Sequence, residues 1–484
     1  MKKSLIIFLS FLLLTGCVDS LDDYNVDTKK APTVTAVTLF SNSLKGLIDA
    51  LVTPNVNNNN YRLYVQQWAE TTYLDEQRYN LTARAIPQAL WQSLYRDVIS
   101  DLTEAKKIIN ANTLLSAESK NNQLAQIEIV EVLAWSVLVN TFGDVPYTEA
   151  MDPLNPLPKF DDAKTVYYSL LDRLDAALLL LNTTGTGFVA GDLIYKGDIA
   201  KWRKFGNSLK LRLALVIADS DPAKAKSLIE AAAPNVFTSN ADKAAFPYVA
   251  SPPNYNPVAQ NLNPTYSTRQ DYVITSVFID PLNELNDPRR AAWFTTINGV
   301  YKGGAYGFAN DYALFSKVGP KITDPALEGL FMDYSEVEFG LAESIERGFI
   351  TGDAAEHYNK AITASITYWG TINASTTIAD DVAKYLAQPK VAYATAEGNY
   401  KQKIGFQKWV ALYNRGWESW VEWRRLDAPK LLPPTGGSAP DGLQIPVRII
   451  YPIVEQTLNP TNLKAASTAI GGDLASTKLF WDKF

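Results

Sequence analysis

A mostly α-helical fold, built from helix hairpins and broken by long irregular loops, is what this sequence predicts. Three observations carry that prediction. Apolar residues recur at spacings of three and four along most of the chain, proline and glycine crowd into long interruptions, and a short apolar run at the N-terminus ends at the sole cysteine. With 484 residues, 47% hydrophobic and 20% charged, the balance is that of a folded globular protein. A chain of this length buries about 75% of its unfolded surface. Single counts of Cys (Cys17) and His (His357) exclude an intramolecular disulfide and leave too few ligands for a Cys/His zinc site. A nucleophile system would have to run through His357 alone.

The N-terminus accounts for the cysteine. Met1-Lys2-Lys3 is basic, Leu5 to Leu14 is apolar, and Thr15-Gly16-Cys17 follows. About ten apolar residues are half of what a spanning helix needs, so residues 1–16 read as a signal peptide. Leu14-Thr15-Gly16-Cys17 resembles the bacterial lipobox, which implies cleavage before Cys17 and lipidation of its thiol. Residues 17–35 then form a tether, and the formal charge moves from −6 to 43 basic against 51 acidic side chains, −8. Acids at Asp19, Asp22 and Asp23 resemble the surface-export signal of Bacteroidetes lipoproteins, or simply keep the tether solvated. No later segment reads as apolar enough to span a membrane.

Residues 36–484 are expected to form one helical domain. Leu90, Trp91, Leu94, Tyr95, Val98, Leu102, Ala105 and Ile109 give one apolar face from Gln88 to Asn110. A second helix is predicted from Lys120 to Thr141, stopped by Gly143 and Pro146. Others follow at Asp161–Leu181, Asp198–Ala218, Pro222–Ala232, Tyr334–Gly348, Ala354–Tyr368 and Tyr393–Leu426. Their pairing has the spacing of tetratricopeptide-like hairpins, with a degenerate signature. Loop insertions are placed around 245–334: Ala245–Asp271 carries five prolines and Gly299–Asp311 four glycines. Leu431–Asp441 is a third loop, and the tail after Asn459 reads as weakly structured.

Chemistry-bearing pairs read as structural. Glu418/Glu422 and Glu343/Glu346 share helix faces and are expected to be solvated, since a glycosidase needs its two carboxyls on opposite sides of a substrate. Glu356-His357 is no His-Glu-x-x-His motif, and neither a Gly-x-Ser-x-Gly elbow nor a phosphate loop is present. Lys201, Arg203, Lys204, Lys210 and Arg212 read as surface charges paired with carboxylates, not a nucleic-acid patch. Asp161-Asp162 and Asp380-Asp381 read as helix N-terminal acids. No catalytic residue, metal or cofactor is expected. Trp409, Tyr413, Trp417 and Trp420 form a core stripe at helical spacing. Loop aromatics have no such partner face, so Tyr255, Tyr266, Tyr306 and Phe308, with Asn263, are candidates to cover and hydrogen-bond a ligand.

Trp91-Gln92-Ser93-Leu94-Tyr95, Asn140-Thr141-Phe142-Gly143-Asp144-Val145-Pro146-Tyr147, Asn207-Ser208-Leu209-Lys210-Leu211-Arg212, Trp423-Arg424-Arg425 and Ile445-Pro446-Val447-Arg448-Ile449-Ile450-Tyr451-Pro452 resemble, in order, the SusD/RagB family of outer-membrane lipoproteins. The resemblance implies a tetratricopeptide-like scaffold without catalytic activity. It implies capture of an oligosaccharide or peptide at the cell surface, as a lid on a SusC-like TonB-dependent transporter. It also places ligand contacts in an early segment, which here holds Tyr73, Gln77 and Arg78. A surface glycoside hydrolase and a ligand-free helical adaptor are the alternatives.

Overall fold

The computed structural model describes residues 34–370, 377–435 and 442–484. Cys17, the signal peptide and nearly all of the tether lie outside the described residues, as does Gly436-Gly437. Residues Ala36–Phe484 fold as one unit. It opens with α1 (Ala36–Val52), α2 (Tyr61–Tyr64), strand β1 (Trp68–Glu70) and α3 (Ile86–Gln92), which runs through a π-helical stretch (Ser93–Ile99) into α4 (Ser100–Ala111). Next come α5 (Ala117–Phe142), α6 (Ala163–Leu180), α7 (Ile199–Val216), α8 (Pro222–Ala232), β2 (Ala244–Phe246), α9 (Pro257–Leu262) and β3 (Tyr272–Ile274). The middle holds α10 (Ser276–Glu284), α11 (Arg290–Trp293), β4 (Gly329–Met332), α12 (Tyr334–Glu346) and α13 (Ala354–Trp369). The chain closes with α14 (Ile378–Leu386), α15 (Tyr400–Ala411), α16 (Gly416–Leu426), α17 (Ile453–Leu458) and α18 (Pro460–Ala469).

Side-chain caps set the helix starts. Ser116 accepts from Ser119 N–H at α5, Asp162 from Thr165 N–H at α6 and Asp198 from Lys201 N–H at α7. Thr377 with Asp380, and Asn399 with Gln402, form capping boxes. Asp161 departs from its expected role: it accepts from the Tyr147 and Thr148 N–H groups instead. Gly143, at φ +88°, ends α5 where a side chain would be strained. Helices pack as sequential hairpins, α5 on α6, α7 on α8, α12 on α13. Helix α5 is long and apolar enough to cross a membrane by length and composition, contrary to the sequence expectation; 89% of that window is buried, which makes it the central core helix.

Other expectations are corrected. Tyr393–Leu426 is not one helix: Asn414 sits at φ +68°, and the Gly416 Cα packs so tightly that a Cβ would meet Arg62 N at 2.7 Å. The aromatic stripe therefore spans two helices, yet all four rings are buried, with Trp409 Nε1 donating to the Val65 carbonyl and Trp420 Nε1 to that of Pro446. The proline-rich stretch after Ala245 contains α9, because Pro257 occupies a first-turn position that needs no N–H. Beyond Asn459 the chain is ordered as α18, and the Trp481 and Trp420 rings both lie against the Arg424 guanidinium, 4.7 and 3.5 Å from it.

The acids and bases expected at the surface are mostly interior. Glu336 receives Arg212 Nη2 at 2.8 Å and Arg415 Nη2 at 2.7 Å. Glu343 receives Arg425 and Arg347, and Glu422 receives Lys408 and Arg425. Glu418 is buried near Arg415, and Lys210 reaches Asp175, so only Glu346 of the predicted acid pairs is exposed. Burial alone would raise Glu336 and Glu343, but the arginines outweigh it and hold both carboxyls at about 2. His357 sits against Glu338, Nδ1 to Oε2 2.6 Å.

Candidate ligand-binding site

The site grows from a two-stranded antiparallel ladder in which Trp68 faces Ile274, Ala69 faces Val273 and Glu70 faces Tyr272. This pairing lays the segment after Glu70 beside the segment before Tyr272. Thr71 N–H donates to the Asp271 carbonyl at 3.0 Å, and Asn310 N–H donates to the Thr71 carbonyl at 3.0 Å. Three segments therefore meet at one end of the ladder: 71–85, 263–271 and 303–312. Buried Asn310 ties them, its Nδ2 donating toward the carbonyls of Glu70, Ala305 and Phe308 at 3.1, 3.0 and 2.8 Å. Gly304 permits this approach, since a Cβ there would lie 2.4 Å from Asn310 Oδ1.

The candidates from the first and third segments come together, in two roles. Tyr73 is 71% exposed and Phe308 39%, so both rings are presented outward. The Arg84 guanidinium lies 5.4 Å from the Tyr73 ring centroid. Gln77 and Tyr306, two of the candidates for ligand contact, are buried. Gln77 Oε1 accepts from Glu70 N–H at 3.1 Å and from Gly307 N–H at 3.4 Å, while its Nε2 donates to the Phe308 carbonyl at 3.3 Å. The Tyr306 hydroxyl meets that of Tyr79 at 3.3 Å. Arg78 donates through Nε and Nη2 to the Gly307 carbonyl at 3.0 and 2.9 Å. These three side chains shape the loop from within; a buried amide or phenol already partnered by protein has little left to offer a ligand.

Tyr255, Tyr266 and Asn263 form a second cluster, half-buried. The two rings pack at 4.8 Å between centroids, the Tyr266 hydroxyl donates to the Ala250 carbonyl, and Asn263 Nδ2 donates to the Thr323 carbonyl. The segment 264–271 links it to the Tyr73 face.

Beside Tyr73 is a cavity of about 210 Å³ whose walls include Val56, Glu70, Glu76, Arg84, Arg269 and Asp271. Sequence reasoning missed all of these. Glu70 and Glu76 are buried, Arg84 Nε is 2.9 Å from Glu76 Oε1, and Arg269 Nη1 is 3.0 Å from Asp271 Oδ2. Burial, then the hydrogen-bonding and charge of Glu76, push the Glu70 carboxyl up to about 10. A second cavity of about 260 Å³ near Tyr358, Lys403 and Phe406 contains none of the predicted residues, and Lys390 on its rim is paired with Glu284.

Exposed rings, cavity and braced loops on a helical frame define the class: a helical scaffold protein whose loops present an aromatic face beside a cavity. The chain belongs to the SusD-like family, described as starch-binding and associating with the outer membrane, whose model matches residues 28–452. The family resemblance read from the sequence is thereby borne out. Among solved structures it is similar to a chitin-binding protein (27% identity, TM-score 0.81, covering 93% of this chain and 100% of that one). It is also similar to a SusD homologue from Bacteroides uniformis (25%, TM-score 0.73, 92% and 99%). A chitin-binding SusD homologue from Flavobacterium johnsoniae (24%, TM-score 0.77, 92% and 98%) shares the fold. No curated protein matches the chain.

Proposed function

We propose that this protein is a cell-surface lipoprotein, anchored in the outer membrane through Cys17, that captures an oligosaccharide on the Tyr73–Phe308 face. It then passes that ligand, as a lid, to a SusC-like TonB-dependent transporter. The observation that carries the reading is the outward presentation of two aromatic rings on loops braced by Asn310, Gln77 and Arg78. Flat apolar area covers the C–H faces of a sugar, and the neighbouring polar groups meet its hydroxyls. The chitin-binding descriptions of two structural neighbours favour a glycan over a peptide.

Binding without turnover is supported by the cavity's acids. Both Glu70 and Glu76 are buried and Glu76 is held by Arg84, whereas a glycosidase needs two carboxyls that reach the scissile bond from opposite sides. Calorimetry with chito- and malto-oligosaccharides tests the reading: Tyr73→Ala and Phe308→Ala each weaken binding about tenfold while the protein stays folded. Shortened glycans in the reaction mixture, or wild-type affinity in both variants, refute it. Mild detergent extraction recovers the transporter with the protein; a lone monomer counts against the lid.

A further inference from the structure

The charges of the cavity beside Tyr73 do not balance. Glu70, Glu76 and Asp271 bring three carboxyls against the two guanidiniums of Arg84 and Arg269. Arg269 is engaged by Asp271, and Arg84 by Glu76. Among the described residues, Glu70 forms no ion pair. Its Oε2 accepts the Gln77 backbone N–H at 3.1 Å, and another acid, Glu76, lines the same cavity. Glu76 is fully buried, and neither of its oxygens accepts a well-aligned hydrogen bond.

The other groups around the pair do not supply the missing charge. Tyr272 of β3 donates its hydroxyl to the Pro54 carbonyl, and the Tyr306 hydroxyl meets Tyr79. Tyr64 is a neutral phenol. Arg62 of α2 spends its guanidinium on Asn414 and on the carbonyls of Val52 and Thr53.

Resting on the glycan-binding reading above, we propose that this cavity is a subsite for a ligand's ammonium group, of the kind a glucosamine residue carries, taken up beside Glu70 and Glu76 next to the Tyr73 ring. Three features of the place suit an ammonium. It brings three N–H donors to carboxyl oxygens that accept few, one positive charge to a pair of acids sharing one guanidinium, and a cation to an aromatic face.

The geometry also fixes a proton. Glu70, buried in the wall of this cavity without an ion-pair partner and beside the Arg84-paired Glu76, favours its neutral form and holds a proton. The elevation of Glu70 has the same direction. When the ammonium enters, the O–H bond of that carboxyl breaks, the electron pair stays on the carboxylate, and the proton passes to the buffer. At a pH low enough that the sugar amine is already protonated in solution, uptake of the cation therefore releases about one proton per ligand. An N-acetylated sugar carries no positive charge and releases none.

The test is calorimetry on the mature protein in buffers of different ionisation enthalpy. The probes are a glucosamine tetrasaccharide, its N-acetylated counterpart, a neutral β-1,4-glucan tetrasaccharide and a short lysine-containing peptide. The expected result is about tenfold tighter binding of the glucosamine tetrasaccharide than of its N-acetylated form, with about one proton released. Glu70→Gln, nearly isosteric with the protonated acid, abolishes the release and narrows the preference; a thermal melt shows whether that variant is folded. If it is not, the proton count of the wild type alone decides. Equal affinity of the amine and N-acetyl forms without proton release overturns the subsite and leaves the glycan-binding reading standing. Failure of every glycan to bind overturns that reading and the subsite with it. Binding of the lysyl peptide alone, with proton release, overturns the glycan source and assigns the ammonium to a peptide.

Discussion

Replacing Glu336 by Gln removes one negative charge from a place where two arginines depend on it. Arg212 and Arg415 are both nearly inaccessible and both donate to this carboxylate. The carboxyl is held at about 2 against a reference of 4.5, a difference of roughly 2.5 units, worth about 3 kcal/mol. Breaking a buried pair from one side typically costs about 3–5 kcal/mol, which agrees. The sign follows from the depressed value: the contribution is fully present above pH 4.5 and is lost as pH falls toward 2. Urea unfolding of wild type and Glu336→Gln should therefore differ by about 3 kcal/mol at pH 7, with the gap closing between pH 4.5 and 2. A difference below about 1 kcal/mol at pH 7, or one that does not change with pH, refutes the reasoning.

Three further outcomes are expected. Trp481→Ala uncovers one face of the Arg424 guanidinium and empties a ring-sized space, costing about 3–5 kcal/mol in urea unfolding, with hydrogen exchange rising first in the C-terminal segment. Gly307→Ala places a Cβ at φ +83° and 2.2 Å from Pro434 Cβ; the loop shifts, stability falls by about 1 kcal/mol or more, and glycan affinity falls with it. Cys17→Ser abolishes incorporation of labelled palmitate and moves the protein out of the membrane pellet, whereas retention in the pellet refutes the anchor.

The helix hairpins are legible in the sequence because their signal is local: a stripe at 3.6-residue period, a capping acid at Asp162 or Asp198, a glycine stop at Gly143. Phe308 stands out for a related reason, as an aromatic outside any helical face, whereas Tyr73 enters only through the family resemblance. Glu70 is not legible. Its environment is set by Tyr272, its ladder partner from a distant part of the chain, and nothing in Trp68-Ala69-Glu70 announces that pairing. Glu343 and Glu422 mislead in the same way, because helical spacing says which side chains share a face but not that Arg425 and Lys408 from other helices cover them. The break at Asn414 is a tertiary effect, forced by the close approach of Arg62 to Gly416.

The ties at the foot of the binding face are largely main-chain: Asn310 N–H to the Thr71 carbonyl, Thr71 N–H to the Asp271 carbonyl, and the β1–β3 ladder beneath. Bonds of this kind are indifferent to most side-chain replacements. The outward positions at Tyr73 and Phe308 can consequently drift in sequence without loosening the frame that holds them. Those residues are open to exchange one at a time, each intermediate still folded, so the chemistry of this face can change without rebuilding the domain.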